Sequence, residues 1–433
     1  MLNIRLPELY NAPYIIGIGG IGLAGVARLL RDLGRPVAGT DLRASEITQM
    51  LEADGVPIEI GDCQLEKLKT ASCVITPVTM GVASKVWIYC MTHQIPVCNK
   101  VQALADILSA ARVEPVYVLG STSRAKTARM ISEAAHFGWI AGLVPLSGET
   151  DVAHFERRMA VELDDPYIHA CSKSLERFPE GDFVISDFQF EDYDHYGRGM
   201  TDVREIVDRI RREKRLAGRC LVIPRQTEAP DQLAFRIVRD DDFDHAEICQ
   251  FRFDARYVYP PASYHASPAP YDGTRADASG LAAAWAWLYA RGCAQRPCDI
   301  PSVGWFETVA QNAVLDIRMH PYHVALSLDA ARLRARGRRL RVVFKPFASV
   351  LERHSGEYWC KAFQKADDLY IVLPGYEGVS DAQADQFVKS LRDGMETPEV
   401  HDCSLAAVYR LVAASGAGDF WVWFGAPDIL EGV

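Results

Sequence analysis

Apolar and polar positions fall in alternating blocks along this chain. Tyr14-Ile15-Ile16 is a short apolar run that ends on Gly17-Ile18-Gly19-Gly20, and over 21–33 the apolar positions recur with a helical period. The alternation then repeats. Strands are predicted at 36–41, 56–61, 72–77 and 95–100, and helices at 46–54, 65–69, 84–93 and 101–111. Strands apolar on both faces, separated by amphipathic helices, predict a parallel, doubly wound α/β sheet. The polar break at Arg112-Val113-Glu114-Pro115 closes this unit, and a new strand, Val116-Tyr117-Val118-Leu119, follows it. Further strand-like runs at 341–347, 368–374 and 419–429 place another sheet after about residue 300. The predicted organisation is three domains, 1–112, 113–299 and 300–433.

Length supports that division, since 433 residues exceed one ordinary core. A hydrophobic share of 49%, a charged share of 24% and a net charge of −10 describe a globular chain with no basic face for nucleic acid. The arginine run 332–339 reads as the solvated end of a helix. Eleven cysteines are scattered, and the near pairs Cys90/Cys98 and Cys293/Cys298 lack metal-ligand spacing, so reduced thiols are expected. The first residues carry no basic-then-apolar leader, and the apolar run 281–290 is too short to span a bilayer. A cytoplasmic protein with neither membrane nor nucleic-acid partners is the expectation.

Candidate chemistry begins at the first glycines. Gly17 and Gly19 permit a tight turn and close approach of a ligand, while Gly22 lets the helix lie near the strand. The helix start then offers unpaired amides to a phosphate, and Asp41, ending the second strand, stands where a ribose hydroxyl would be bound. A turn that merely packs a helix on a sheet remains the alternative.

Several segments in order carry a resemblance: Gly17-Ile18-Gly19-Gly20-Ile21-Gly22, Gly39-Thr40-Asp41, Ile60-Gly61-Asp62, Val74-Ile75-Thr76-Pro77, Ile95-Pro96-Val97 and Leu104-Ala105-Asp106-Ile107-Leu108. Together they resemble the Mur ligases. That resemblance implies a three-domain α/β architecture: a Rossmann-like first domain, a central ATPase-type domain with a phosphate loop and a Rossmann-like amino-acid-binding domain. It implies a UDP-sugar or related nucleotide on Gly17, Gly19, Gly20, Ile21, Gly22, Asp41 and Thr76. Asn99-Lys100 departs from it, the family pattern having Pro-Arg.

Gly120-Ser121-Thr122-Ser123-Arg124-Ala125-Lys126-Thr127 occupies the place of the family's ATP loop, G-T-H-G-K-T-T. Two registers compete. Aligned without gaps, the second glycine falls on Ser123, the lysine on Arg124 and the threonine on Ala125. Alternatively, Gly120-x4-Ala125-Lys126-Thr127 fits a phosphate loop with alanine for glycine. The chemistry asks for a lysine on the β/γ-phosphates and a hydroxyl on magnesium. Arginine does not fit a lysine's compact socket. The gapless register keeps the following helix in phase and is preferred; it sends Lys126 to solvent or to a domain interface.

Other departures concern the same task. Glu162, in Arg158-Met159-Ala160-Val161-Glu162, matches a magnesium-holding glutamate. In the segment 183–197, Gln189 takes the place of a glutamate, Asp192 that of a metal-binding histidine, and Asp187 that of an asparagine. In the adenine segment, Arg275 replaces histidine, and Ala276 and Ser279 replace two asparagines. In the last domain Asp316, His320 and Pro321 are retained from D-D-Y-G-H-H-P.

Three readings follow. A nucleotide-sugar-binding or regulatory protein of cell-wall precursor metabolism, with ATP-dependent ligation lost or impaired and a possible protein partner, accounts for coincident losses at phosphate, metal and adenine contacts. A working ATP- and magnesium-dependent acid–amino-acid ligase would use Lys126, Glu162 and His320. An NAD-dependent oxidoreductase rests on 17–41 alone and lacks an acid–base set downstream.

Overall fold

The structure is a computed structural model that describes residues 6–77, 80, 84–120, 124–140, 153–163, 174–186, 203–227, 229, 231–254, 256–271, 275–293, 295–297, 307–310, 312–316, 321–345, 356–372 and 381–425. Asp187, Gln189, Asp192, Ser121, Thr122, Ser123 and His320 lie outside them. The chain forms two compact units, one ending near Ser302 and one from Val303 onward.

The first unit opens with a five-stranded parallel sheet. Its strands are β1 (Pro13–Ile16), β2 (Ala38–Asp41), β3 (Ile58–Ile60), β4 (Cys73–Thr76) and β5 (Val97–Asn99), in the order β3-β2-β1-β4-β5. Helices α1 (Ile21–Asp32), α2 (Glu46–Ala53), α3 (Lys85–Thr92) and α4 (Lys100–Ala110) connect them. Side-chain oxygens start three of these helices. Ser45 and Thr48 form a capping box on α2, Asn99 and Gln102 form one on α4, and Ser84 caps α3. The expected helix at 65–69 is instead a 3₁₀ turn, Leu65–Thr70, because Leu68 alone gives it a buried side chain.

A ten-stranded sheet follows in the same unit, in the order β15-β14-β13-β12-β11-β10-β6-β9-β7-β8. Its parallel half comprises β6 (Glu114–Leu119), β7 (Gly138–Ile140), β9 (Arg158–Glu162), β10 (Asp182–Ile185) and β11 (Cys220–Arg225), with β8 (Ala153–His154) antiparallel at the edge. β12 (Gln232–Arg239), β13 (Glu247–Phe253), β14 (Tyr257–Tyr259) and β15 (Ala269–Pro270) extend it as an antiparallel ribbon. Helices α5 (Arg124–Ala135), α6 (Ser174–Arg177), α7 (Val203–Glu213) and α8 (Arg275–Ala290) accompany it. Alanines 282, 283, 284 and 286 on α8 are fully buried, and small side chains let α5 and the sheet approach that helix closely. Asp182 fixes the far end of α8. Its carboxylate accepts from the Arg291 guanidinium (2.7 Å from Nε), from Trp287 Nε1 (2.8 Å) and from the Cys220 amide (3.0 Å). One apolar core runs from the first sheet into the second.

The second unit holds a six-stranded sheet, β16-β17-β21-β18-β19-β20. Its strands are β16 (Glu307–Ala310), β17 (Ala313–Asp316), β18 (Arg339–Lys345), β19 (Asp368–Ile371), β20 (Glu399–Asp402) and β21 (Asp419–Gly425). Helices α9 (Pro321–Ala335), α10 (Gly356–Phe363), α11 (Asp381–Gly394) and α12 (Leu405–Ala414) connect them. The last strand in sequence inserts between β17 and β18, parallel to both, and so is central. That position suits Phe420 to Phe424, which are buried on both faces of the sheet.

Candidate functional site

In the first sheet, the strand order reverses between β1 and β4, the switch point at whose strand ends ligands bind in open α/β sheets. The glycine turn sits there. Gly17 has φ +70°, the left-handed region that favours glycine, and its carbonyl accepts the Gly20 amide at 2.9 Å. The Gly17 and Ile18 amides both donate to Thr40 O, at 2.8 and 3.1 Å. Thr76, 3% exposed, ends β4 opposite Asn99.

The structure thus gathers Gly17, Gly19, Gly20, Ile21, Gly22, Asp41 and Thr76 at neighbouring strand ends. Asp41 plays a part that the ribose expectation leaves out. Its Oδ2 accepts the Gly19 amide at 2.8 Å, so this carboxylate braces the loop itself. Lys100 was missed as a neighbour. Its side chain lies so close to Gly22 that a Cβ there would stand 3.0 Å from its Cδ and Cε. The signal was present in the Asn99-Lys100 departure, but one strand end alone does not reveal what it faces.

Two groups of the first sheet, Tyr14 and Cys63, are inert near neutrality. Burial, with Glu59 beside it, raises the Tyr14 phenol, and the same two causes push the Cys63 thiol up to about 11. Both stay protonated and supply neither base nor nucleophile. The described cysteines, Cys63, Cys73, Cys90, Cys98, Cys220, Cys249, Cys293, Cys360 and Cys403, are free thiols.

In the second sheet, β6 ends at Leu119 between β9 and β10. Gly120 follows with φ +151°, and α5 starts at Arg124. The side chains of Arg124, Ala125 and Ala276 lie outside the described residues. Lys126 is 3% exposed, which corrects the expectation that it turns to solvent: α5 packs against both the sheet and α8, and most of its faces are covered. Thr127 is fully buried, and its Oγ1 has no hydrogen-bond partner. Glu162 ends β9 opposite Val118. Ser279 Oγ donates to Ser186 O at 2.7 Å, and Ser186 Oγ donates to Leu119 O at 3.1 Å. These bonds tie α8 to the ends of β10 and β6.

The structure thus brings Gly120, Lys126, Thr127, Glu162 and Ser279 to one end of this sheet. The hydroxyls of the described members are both enclosed, that of Thr127 with no hydrogen-bond partner and that of Ser279 on the Ser186 carbonyl.

In the second unit, Asp316 is fully buried at the end of β17 and accepts from Ser327 Oγ at 2.5 Å. Asp368, Glu399 and His401 place their ligand atoms within 4.8 Å of one another. Arg339 lies 2.6 Å from Asp368 and Arg341 lies 3.5 Å from it, so this is an ion-pair network rather than a cation site. Among the described residues, no helix is long and apolar enough to cross a membrane.

Residues 13–112 match the family described as Mur ligase family, catalytic domain. The UDP-N-acetylmuramate–L-alanine ligase of Streptomyces avermitilis is 24% identical over 467 aligned residues, covering 98% of this chain and 97% of that one. Its counterpart from Streptomyces coelicolor is 23% identical, with the same coverage, 98% and 97%. Among solved structures, the UDP-N-acetylmuramate-alanine ligase MurC of Thermotoga maritima superposes with a TM-score of 0.62 at 16% identity, covering 97% of this chain and 96% of that one. A murein peptide ligase from Psychrobacter arcticus superposes with a TM-score of 0.62 at 15% identity, covering 97% of each chain. The glycine turn therefore lies in a Mur ligase family domain, residues 13–112, and over almost its whole length this chain shares the α/β fold of solved Mur ligases.

Proposed function

We propose that this chain binds a UDP-linked sugar, or a related nucleotide, at the glycine turn, and that its ATP-dependent ligation is impaired or lost. The domains of this reading are 1–112 for the nucleotide sugar, 113–299 for the degenerate ATP loop and 300–433 for the amino-acid-binding type. The relatives that span almost the whole chain act on UDP-N-acetylmuramate, so that compound is the first ligand to try.

A contrast between two loops carries the reading. The turn at 17–22 places its glycines at the switch point of the first sheet, whereas at the second loop the Thr127 hydroxyl is buried with no partner. A hydroxyl in that state has no access to a magnesium ion.

The runner-up is a working acid–amino-acid ligase on a divergent substrate, favoured by the presence of Lys126 and Glu162 at the second loop. ADP release measured with UDP-N-acetylmuramate, magnesium-ATP and a panel of amino acids separates the two. The proposal expects UDP-sugar binding without amino-acid-dependent ADP release. Sustained turnover with any amino acid would establish the runner-up.

A further inference from the structure

The antiparallel ribbon on the second sheet has one face packed and one open. Leu233, Phe235 and Ile237 of β12 and Cys249 and Phe251 of β13 are buried, with Phe251 against Trp285 of α8 at 6.1 Å between ring centroids. The registers carry the alternate positions outward across β11 to β14. Arg225 lies beside Ala234 and Gln250, Ile223 beside Arg236 and Ile248, and Arg252 beside Tyr259. α7 covers this side over Leu221, Ile223 and Val238. Past that cover the face is open, with Ile248 46% and Tyr257 41% exposed. The outward positions of these four strands hold three arginines and no carboxylate, in a chain whose net charge is −10. Glu228, Asp231 and Asp254 fall in the connections between strands. Asp254 is committed to its own turn, accepting the Tyr259 hydroxyl at 2.6 Å and the Arg256 and Tyr257 amides at 2.8 Å.

The acids of the ribbon gather at its other end. The turn joining β12 to β13 reads Asp240-Asp241-Asp242-Phe243-Asp244. It leans to the outward side, because Phe243 lies under the Arg211 guanidinium at 4.1 Å and under that of the outward Arg236 at 5.7 Å. Asp241 meets Arg211 only at 3.9 Å, with both side chains exposed. Antiparallel sheets commonly keep one solvated face, but such faces ordinarily intersperse the two signs of charge. Here one side of one ribbon carries acids at one end and arginines at the other, separated by about 20 Å of strand.

That layout is self-complementary. A two-fold axis normal to the sheet, passing between the two ends, lays the acidic turn of each copy on the arginines of the other. It also brings the exposed Ile248 and Tyr257 into the covered area. We propose that the outward face of β11 to β14 seats a second copy of this chain, the turn at 240–244 of each copy docking on Arg225 and Arg252 of the other. The inference is independent of the nucleotide reading of the glycine turn.

The test is sedimentation velocity of the full chain at about 100 µM, in about 50 mM and about 500 mM sodium chloride. One variant is Arg225→Glu/Arg252→Glu. The other is Asp241→Asn/Asp242→Lys/Asp244→Lys, in which asparagine tolerates the φ of +62° at position 241. Each is checked by circular dichroism and a thermal melt. The parent sediments as a dimer in low salt, and its association weakens by about tenfold or more in high salt. Each variant alone sets like charge against like and is a monomer. An equimolar mixture of the two restores the dimer, since each reversed end meets its complement, a rescue that a merely structural role does not produce. A parent that is monomeric in low salt overturns the inference; if it then binds poly-glutamate through the arginines, the face belongs to a foreign acidic chain. A dimer that both variants keep, or a mixture that stays monomeric, overturns it as well.

Discussion

Replacing Gly19 by alanine tests how the turn is held. A Cβ on Gly19 would stand 2.8 Å from Thr48 Cγ2 and 2.9 Å from Asp41 Oδ2, both inside normal contact. Neither neighbour yields easily. Thr48 is fully buried and is one half of the α2 capping box, with Ser45 N donating to its Oγ1 at 2.8 Å. Asp41 accepts the Gly19 amide at 2.8 Å, and moving it stretches that bond. A hydrogen bond to a carboxylate contributes about 1.5–3 kcal/mol, and the lower end applies to the half-buried Asp41. A disturbed cap adds about 1 kcal/mol. The expected loss is about 2–3 kcal/mol, which in a cooperative unit of this size lowers the thermal midpoint by about 3–5 °C. Differential scanning calorimetry measures it, and titration with a UDP-sugar measures the accompanying loss of affinity, which should be complete for Gly19→Val. A Gly19→Ala chain with parental midpoint and parental affinity would refute the bracing role of Asp41 and the placement of ligand over this turn.

Other perturbations follow from the same geometry. Asp182→Ala strands the Arg291 cation and the buried Trp287 and Cys220 donors, and should destabilise the first unit by about 3–5 kcal/mol in denaturant titrations; a loss below 1 kcal/mol would contradict the hub. Thr127→Val replaces a buried, unpartnered hydroxyl with a methyl of the same shape, so the thermal midpoint should rise, by about 1–2 kcal/mol of stability, and a lowered midpoint would mean that the hydroxyl has a partner. Asp367 is held below the ordinary aspartate value of 3.8, first by hydrogen bonds from Arg332 and then by the Leu340 amide. Its folded value is the lower one, so the stabilisation is full above pH 3.8 and is lost as pH falls through that folded value. Asp367→Asn should therefore flatten the acid limb of unfolding followed by tryptophan fluorescence, and an unchanged limb would remove the pair from the stability of the second unit.

Much of the first sheet was legible because its strands are apolar on both faces and its helices are amphipathic and capped by Ser45, Ser84 and Asn99. The antiparallel ribbon β12–β15 was not. β12 and β13 carry interspersed arginines and glutamates, and no residue in them signals a joining to the edge of a parallel sheet. The central place of β21 was hidden for a similar reason, since chain order says nothing of insertion between earlier strands.

At the sites, spacing singled out the glycines, because tight turns demand particular residue types, whereas Thr76 entered only through the family resemblance. Spacing could not find the Asp41–Gly19 bond or the approach of Lys100 to Gly22, which depend on distances between separate strand ends. Burial of Lys126 escaped for a related reason. All of the first six residues of α5, Arg124 to Arg129, are charged, hydroxylic or small, and only packing against α8 reveals which face is enclosed.

Whether the second loop takes magnesium-ATP decides between a nucleotide-sugar-binding protein and a working ligase. Calorimetric titration of the purified chain with ATP, at millimolar magnesium and with a saturating UDP-sugar present, measures that directly. Loss of three or more charge-assisted bonds, at about 1.5–3 kcal/mol each, carries a micromolar site beyond millimolar, so no saturable heat is predicted. A micromolar isotherm that vanishes on removing magnesium would contradict the account and establish a working ATP site.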